Sequence, residues 1–534
     1  MIKFLTRTFL ILLVTVILII IYLSLIGFKT EKFNEVISKQ ILKNNSNINI
    51  KLKDVNFILS PLDFSINVKT YSPEIFIENK KLSLELIVSN IPLRSFFKEN
   101  FIIDDVKLST KFLKIRDVIA LSRIYNNSTE LLILNKIIKD GSIIADINLN
   151  FDESGKIKND YLIKGIVKDT KLRLLNSNKI EKLNFIFEVK YNQFNLRDIK
   201  TEFNEVPIVS SITEIQKKDK NFYINSKLKT NKKDFNFNTF NKIFKEELSK
   251  QGIKNMVFSS SSDISFLINE KFKIKDFRLK SNIDLKSLTY SKELKNFDKY
   301  FGNYKNTLVL KNNKILLNYN KNGFTINGNG KLGFEDIYDD INYKIKQKEK
   351  QYIFSTNISL KKNLFLIPLL NYEKKKKSSL SINLNGVYKD NKEISFNKIS
   401  LEEDDNLILL KNLKLNKKLE ISKIDLVDIN LVNKEKILNQ LRIERQKKNY
   451  KIYGKNFYIK SIINEINNNS AQSNPIFDNL NTNININILK IYLDPTNFVN
   501  NFNGNITYKK NKIYKSDLAS TFPNNKKLNL TINT

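Results

Sequence analysis

The sequence predicts a mainly β protein: an N-terminal transmembrane helix, then an elongated antiparallel β-meander with a few short helices. Three observations predict it. Residues 8–28 form an apolar run without a charge. Most of the chain beyond it alternates apolar and polar side chains at a spacing of two. Only 8 Pro and 13 Gly occur in 534 residues, and no Pro/Gly/Ser-rich linker divides them, so the chain reads as one elongated body.

The apolar run of about 21 residues makes a helix of ~31 Å, matching a bilayer core of ~30 Å. A signal peptide has a shorter apolar region of about 7–15 residues and a small-residue cleavage site. Here only Ser24 and Gly27 are small, so an uncleaved anchor is expected. Lys3, Arg7 and the terminal amine lie before the run, and Lys29, Glu31 and Lys32 after it. The positive-inside rule leans toward a cytoplasmic N-terminus.

After the anchor, Phe33, Val36, Ile37 and Ile41 share one face of a short helix. Alternation then takes over at Ile48-Asn49-Ile50-Lys51-Leu52. It is cleanest over 480–488, where Leu480, Thr482, Ile484, Ile486 and Ile488 face one way and four Asn the other. Turn signals separate such runs. Asn322-Gly323 predicts a primed hairpin turn, and Asp152-Glu153-Ser154-Gly155 a second turn between Phe151 and Ile157. Residues 115–124 and 130–138 read as a helical pair. Asn238 is placed to cap a helix carrying Phe240, Ile243, Phe244 and Leu248, ending before Gly252. Asn433 is placed to cap another carrying Ile437, Leu438 and Leu441.

Helices this few cannot cover the apolar face of so much sheet, and that face must be buried. It closes on a second sheet, curls into a barrel, or curls into a trough that holds an apolar ligand. The alternation alone leaves all three open.

Composition narrows the chemistry. With no His and no Cys, the chain lacks Ser-His-Asp and Cys-His nucleophile systems, disulfides and most zinc sites. No P-loop appears, so no nucleotide hydrolysis is expected. A carboxylate-based glycosidase needs two acids about 5–10 Å apart in a cleft, and no segment suggests such a pair. No catalytic, cofactor-binding or metal-ligating residue is assigned, no cofactor is expected, and the chain is read as no enzyme. The net charge of +35 has two readings: AT-rich codons that favour Lys, Asn and Ile, or selection for anionic partners. The charge is nearly all Lys, with about ten Arg, whereas bidentate phosphate recognition favours Arg; with the anchor, this argues against nucleic acid. The lysine run 374–377 and the acidic run Glu402-Glu403-Asp404-Asp405 read as solvated turns, the latter lacking the Gly and spacing of a calcium loop.

Ordered along the chain, several short motifs carry a resemblance. After the anchor come Asp54-Val55-Asn56-Phe57, Ser72-Pro73-Glu74-Ile75-Phe76-Ile77 and Ile91-Pro92-Leu93-Arg94-Ser95-Phe96-Phe97. Gly141-Ser142-Ile143 opens a strand, and Tyr161 to Val167-Lys168-Asp169 follows a Gly turn. Leu366-Ile367-Pro368-Leu369-Leu370 and Gly454-Lys455-Asn456-Phe457-Tyr458 come later, Tyr458 standing where the pattern usually has Asp. The chain resembles the AsmA-like envelope proteins, in the branch of YhdP and the DUF3971 domain, within the bridge-like lipid transfer superfamily that includes TamB. The resemblance implies a twisted U-shaped groove with an apolar floor. It implies an anchor over residues 1–28, a β/α cap region over 29–140 and a repetitive β-groove over 141–534 that continues in a longer protein. About 30 strands at ~4.8 Å would reach roughly 140 Å. It further implies a bacterial inner-membrane protein with its bulk in the periplasm, where the Asn126-Asn127-Ser128 glycosylation pattern has no role. The implied partners are phospholipid acyl chains, the inner membrane and an outer-membrane or envelope protein. The competing class is an anchored envelope scaffold that carries no lipid.

Overall fold

The computed structural model describes residues 2–32, 34–44, 48–77, 80–97, 103–125, 128–152, 156–174, 178–231, 236–243, 246–270, 273–294, 297–389, 393–468, 479–510 and 512–533. The protein is mainly β, with one long apolar N-terminal helix and a long antiparallel meander that stays open.

The helix Ile2–Leu25 is long and apolar enough to cross a membrane once, and its most apolar stretch is unburied. It stops before the expected end. Gly27 adopts φ 76, and the N–H groups of Ile26 and Gly27 both donate to the Tyr22 carbonyl at 2.9 and 3.2 Å. A left-handed glycine ends a helix in this way because it has no side chain to clash. Phe28 therefore opens the strand Phe28–Thr30, which pairs with Val55–Ser60. The helix Asn34–Asn44 forms as expected, but Phe33 and the side chains of Val36 and Ile41 lie outside the described residues.

The chain divides into two compact units, Met1–Asp234 with Asp263–Asp276, and Phe235–Ser262 with Phe277–Thr534. In the first unit an antiparallel meander runs from Val55–Ser60 to Asn221–Thr230. The expected helical pair is present as Ile115–Tyr125 and Thr129–Ile137. Its Ile115 and Ile119 pack with Ile138, Ala145, Val167 and Phe187 from the sheet. The Ser128 hydroxyl accepts the Leu131 N–H at 3.4 Å and caps the second helix; Asn126 and Asn127 lie outside the described residues. Phe151 bridges Ile157, so the ends of the second predicted turn meet, while residues 153–155 lie outside the described residues.

In the second unit the meander runs from the part of Ile274–Tyr290 that lies beyond Asp276 to Lys527–Asn533, the last strand pairing on one side with Lys512–Thr521. The strand Thr482–Tyr492 keeps its alternation: Ile486 and Ile488 are buried and Asn483, Asn485 and Asn487 exposed. Its pairing departs from the expectation, because it runs parallel to Asn449–Tyr458. A parallel pair needs a crossover, and the helix Lys460–Asn468 supplies part of one. Alternation carries no direction, so the sequence pattern does not distinguish the two cases.

Three local expectations are corrected. The helix expected after Asn238 is two pieces, Phe237–Ile243 and Glu247–Lys250. The Asn236 side chain, not Asn238, accepts an amide there, from Thr239 at 3.2 Å; Phe244 lies outside the described residues. Asn433 caps no helix. Its side chain accepts the Ile437 N–H at 2.9 Å across a turn, and Leu438–Gln446 is a strand paired with Leu426–Val432. At the Asn322-Gly323 hairpin only Gly323 has positive φ (126), so the turn is not primed, and Gly323 opens the next strand opposite Asn320.

Bulges recur within the strands. Asp169, Lys182 and Asp198 in the first unit, and Asn312, Asn412 and Asn501 in the second, all have φ between 50 and 53. Register shifts accompany them at Val167/Thr170 and Lys311/Lys314. Asn and Asp tolerate this conformation, and each bulge bends its strand. At Lys311 the bulge inverts the alternation and turns Asn313 inward. It is completely buried, and its amide N–H groups donate to the Lys311 and Lys331 carbonyls at 3.0 and 3.1 Å.

Candidate functional site

The candidate site is the apolar face of the second unit. Because consecutive strands pair in register, side chains of one phase line up across the sheet. One row is Leu384, Ile399, Leu410, Val427, Ile443, Ile452 and Ile486, each paired with the next. A second row, two residues further along each strand, is Ile382, Leu401, Ile408, Ile429, Leu441, Gly454 and Ile488. Seven strands at ~4.8 Å make each row roughly 30 Å long. The first row is mostly half-buried and the second mostly buried. The face is therefore graded: partly open at one end of the strands and closed at the other.

The closed end is covered by connecting segments. Phe297, Phe301 and Tyr304 from one connection and Phe365 and Tyr372 from another pack with Phe334, Leu360 and Leu380 at the strand ends. The rings of Phe301 and Phe334 lie 4.9 Å apart, and those of Phe301 and Phe365 5.1 Å.

Carboxylates tie this cover down, and here the two charge runs are corrected. Glu403 is no solvated turn residue but is 1% exposed. It accepts the Tyr372 hydroxyl at 2.7 Å, the Lys375 N–H at 2.9 Å, the Asn406 amide at 3.4 Å and the Ser378 hydroxyl. Burial, and then this bond to Glu403, push the Tyr372 hydroxyl well above the ordinary tyrosine range. Lys374 is also buried, its ammonium donating to the carbonyls of Lys361, Lys375 and Ser378 at 2.9–3.2 Å. Lys375, Lys376 and Lys377 do remain exposed.

Asp339 makes the second tie. It accepts the backbone N–H groups of Lys361, Lys362 and Asn363 and the Asn363 side chain, at 2.8–2.9 Å. Burial acts to raise its pKa, but these four donors together outweigh it and hold the carboxyl below the usual range. A depressed folded pKa gives stability that is present above the ordinary Asp value of about 3.9 and lost as pH falls through the folded value. Amide exchange at residues 361–363 is therefore expected to accelerate selectively below about pH 4. Asp339→Asn should remove that acid sensitivity and weaken the connection already at neutral pH, by about 2 kcal/mol. Equal acid sensitivity in the variant would refute the assignment.

Both carboxylates had a legible signal. Glu403 continues the phase of Ile399 and Leu401, and Asp339 that of Ile341, Tyr343 and Ile345. A carboxylate in the apolar phase at a strand end marks a tie point.

The other end of the strands carries aromatic rings. Tyr319 pairs with Phe324, and Tyr352 with Tyr388. Phe324 and Tyr352 lie 6.2 Å apart by ring centroid, Tyr352 and Tyr388 5.9 Å. Between the ends, Tyr343 lies across from Gly328, where an added Cβ would stand 2.2 Å from the ring. Burial pushes the Tyr343 hydroxyl up to about 12. A hollow of about 670 Å³ has a mixed lining, in which Asn282, Asp284 and Lys314 stand beside Ile315, Leu316 and Tyr343.

Among the described residues, no three His, Cys, Asp or Glu side chains are grouped to hold a metal ion. No model of a known protein family matches the chain, and no curated protein matches it.

Proposed function

We propose that this is a membrane-anchored protein of the bacterial envelope whose open apolar sheet face carries phospholipid acyl chains. In this reading the helix Ile2–Leu25 sits in the inner membrane with a cytoplasmic N-terminus. The β-structure stands in the periplasm and passes lipid toward the outer membrane. The observation that carries the reading is the half-buried row from Leu384 to Ile452 on a sheet that does not close. Water on such a row is unfavourable by ~25 cal/mol per Å² of apolar surface, and an acyl chain removes it. The same contacts offset the cost of extracting a chain of ~16 carbons from a bilayer, about 12 kcal/mol at ~0.8 per CH₂. The anchor and the resemblance to AsmA-like proteins point the same way.

A second reading is an envelope scaffold without lipid. The covered end favours it, since Phe301, Phe334, Phe365 and Leu380 form an ordinary closed core. Lipid extraction from the gently solubilised full chain, read by mass spectrometry, separates the two. Several phospholipids per chain are expected. A monodisperse, lipid-free protein would favour the scaffold.

A further inference from the structure

Among the described residues beyond Phe28, the two most exposed large apolar side chains stand on one turn. Leu62 is 94% exposed and Phe64 73%. Their turn, Pro61-Leu62-Asp63-Phe64, joins the strands Val55–Ser60 and Ser65–Tyr71 and is exposed throughout. The Phe64 N–H donates to the Pro61 carbonyl at 3.4 Å and closes it. Phe64 has φ 49, in the left-handed region that favours glycine. Its carbonyl accepts the Leu93 N–H at 2.7 Å, which holds the backbone in place while the ring faces solvent. A lone exposed leucine, such as Leu419 on another turn, needs no explanation. Two large apolar groups on a turn of four residues, where small or polar residues are usual, call for one.

The place of this turn in the fold says what covers it. The chain leaves the helix Ile2–Leu25 through Gly27 into Phe28–Thr30, and Phe28 pairs with Phe57. The pairing is antiparallel, so Val55–Ser60 runs back toward the helix end. The helix touches this strand, and a Cβ added to Gly27 would stand 2.6 Å from the Phe57 carbonyl oxygen. Three residues, ~10 Å of strand, lead from Phe57 to Ser60, and the turn follows at once. Around the helix exit Tyr22, Leu25, Ile26 and Phe28 are exposed as well, and the first charge after the apolar run is Lys29. A helix of 24 residues is ~36 Å long, more than the ~30 Å of a bilayer core, so its end reaches the headgroup layer. Asp63 carries the one charge of the turn, and its carboxylate accepts the Ser60 hydroxyl at 2.8 Å. That charge suits the wet headgroup layer, where aromatic rings also collect, and not the hydrocarbon core. We propose that the turn 61–64 is a second membrane contact, with Leu62 and Phe64 inserted into the interface of the leaflet from which the helix emerges. This rests on the membrane-spanning reading of Ile2–Leu25 and is independent of lipid carriage. Helix and turn together fix how the first strands stand on the bilayer, whereas a helix alone leaves them free to rotate.

The chain contains no Trp, so an introduced one reports alone. Full-length Phe64→Trp and Leu62→Trp are reconstituted in phosphatidylcholine vesicles carrying a nitroxide near the carbonyl end or near the terminus of the acyl chain. Tyr191→Trp is the control for solvent: it is exposed on a hairpin tip five strands further along the sheet from Ser65–Tyr71, ~24 Å away. Leu13→Trp, midway along the helix, is the control for the bilayer core. Emission from both turn probes should be blue-shifted relative to Tyr191→Trp and quenched several-fold more, chiefly by the label near the carbonyl end. Leu13→Trp should be quenched chiefly by the terminal label. Adding Leu62→Asp to Phe64→Trp should return its emission and quenching to those of Tyr191→Trp, while the helix keeps the protein on the vesicle. Turn probes quenched no more than Tyr191→Trp, with Leu13→Trp quenched as expected, overturn this proposal and leave the anchor standing. Quenching of Phe64→Trp unchanged by Leu62→Asp overturns it too, since a turn that only lies near the bilayer gives that result. No quenching of Leu13→Trp by the terminal label overturns the anchor and the proposal together.

Discussion

Aspartate at Leu410 or Ile443 should remove most co-purifying phospholipid, at least tenfold, while the chain still folds. Both side chains are half-buried in the row that runs from Leu384 to Ile452. A carboxylate there stays hydrated as long as nothing covers it, so the cost to folding is modest. Laying an acyl chain across the row strips that water away. An unpaired charge then meets hydrocarbon, at a cost of several kcal/mol, and each 1.4 kcal/mol is about tenfold in binding. Lys398→Asp, on an exposed position of the same sheet, is the control and should retain its lipid. The readout is phospholipid per chain by mass spectrometry, beside the melting temperature. Unchanged lipid content in Leu410→Asp and Ile443→Asp, with the fold intact, would show that this row carries no lipid.

Removing the Glu403 carboxylate should loosen the cover over the closed end. Glu403→Ala leaves the Tyr372 and Ser378 hydroxyls, the Lys375 N–H and the Asn406 amide without their shared acceptor. Breaking one partner of such a buried network costs about 3–5 kcal/mol, because the groups left behind are buried and unpaired. Glu403→Gln keeps the shape and part of the bonding, so about half that loss is expected. The effect should be local first: the Lys374 N–H, which donates to the Phe365 carbonyl at 2.9 Å in the wild type, should exchange with solvent before the chain unfolds as a whole. Protection at Lys374 in Glu403→Ala equal to that of the wild type would mean that the ring contacts alone hold the cover. If the cover limits how far acyl chains reach, the same variant should bind more lipid per chain, which ties this network to the proposed function.

Much of the fold was legible. The long N-terminal helix follows from an unbroken apolar run, and the helical pair and the inward and outward faces of strands such as Thr482–Tyr492 follow from periodicity, because each side chain's direction is set by its own backbone. The misreadings share a cause. Ile437, Leu438 and Leu441 suit a helix spacing, but Leu426–Val432 stands ready to pair, and the residues form a strand. The parallel partnership of Asn449–Tyr458 and Thr482–Tyr492 is decided by the crossover between them.

The candidate site was legible only in its chemistry. Alternation predicted an apolar face needing cover, and the lysine excess predicted a basic surface. The sequence by itself determined which side chains share a face and that a long apolar helix precedes them, since both are local properties of spacing and composition. Only the tertiary structure decided which end of that face is covered. It brought Glu403 to Tyr372 and Asp339 to Asn363. Burial, charge pairing and strand direction depend on what distant residues bring to the same place, and no local period encodes that.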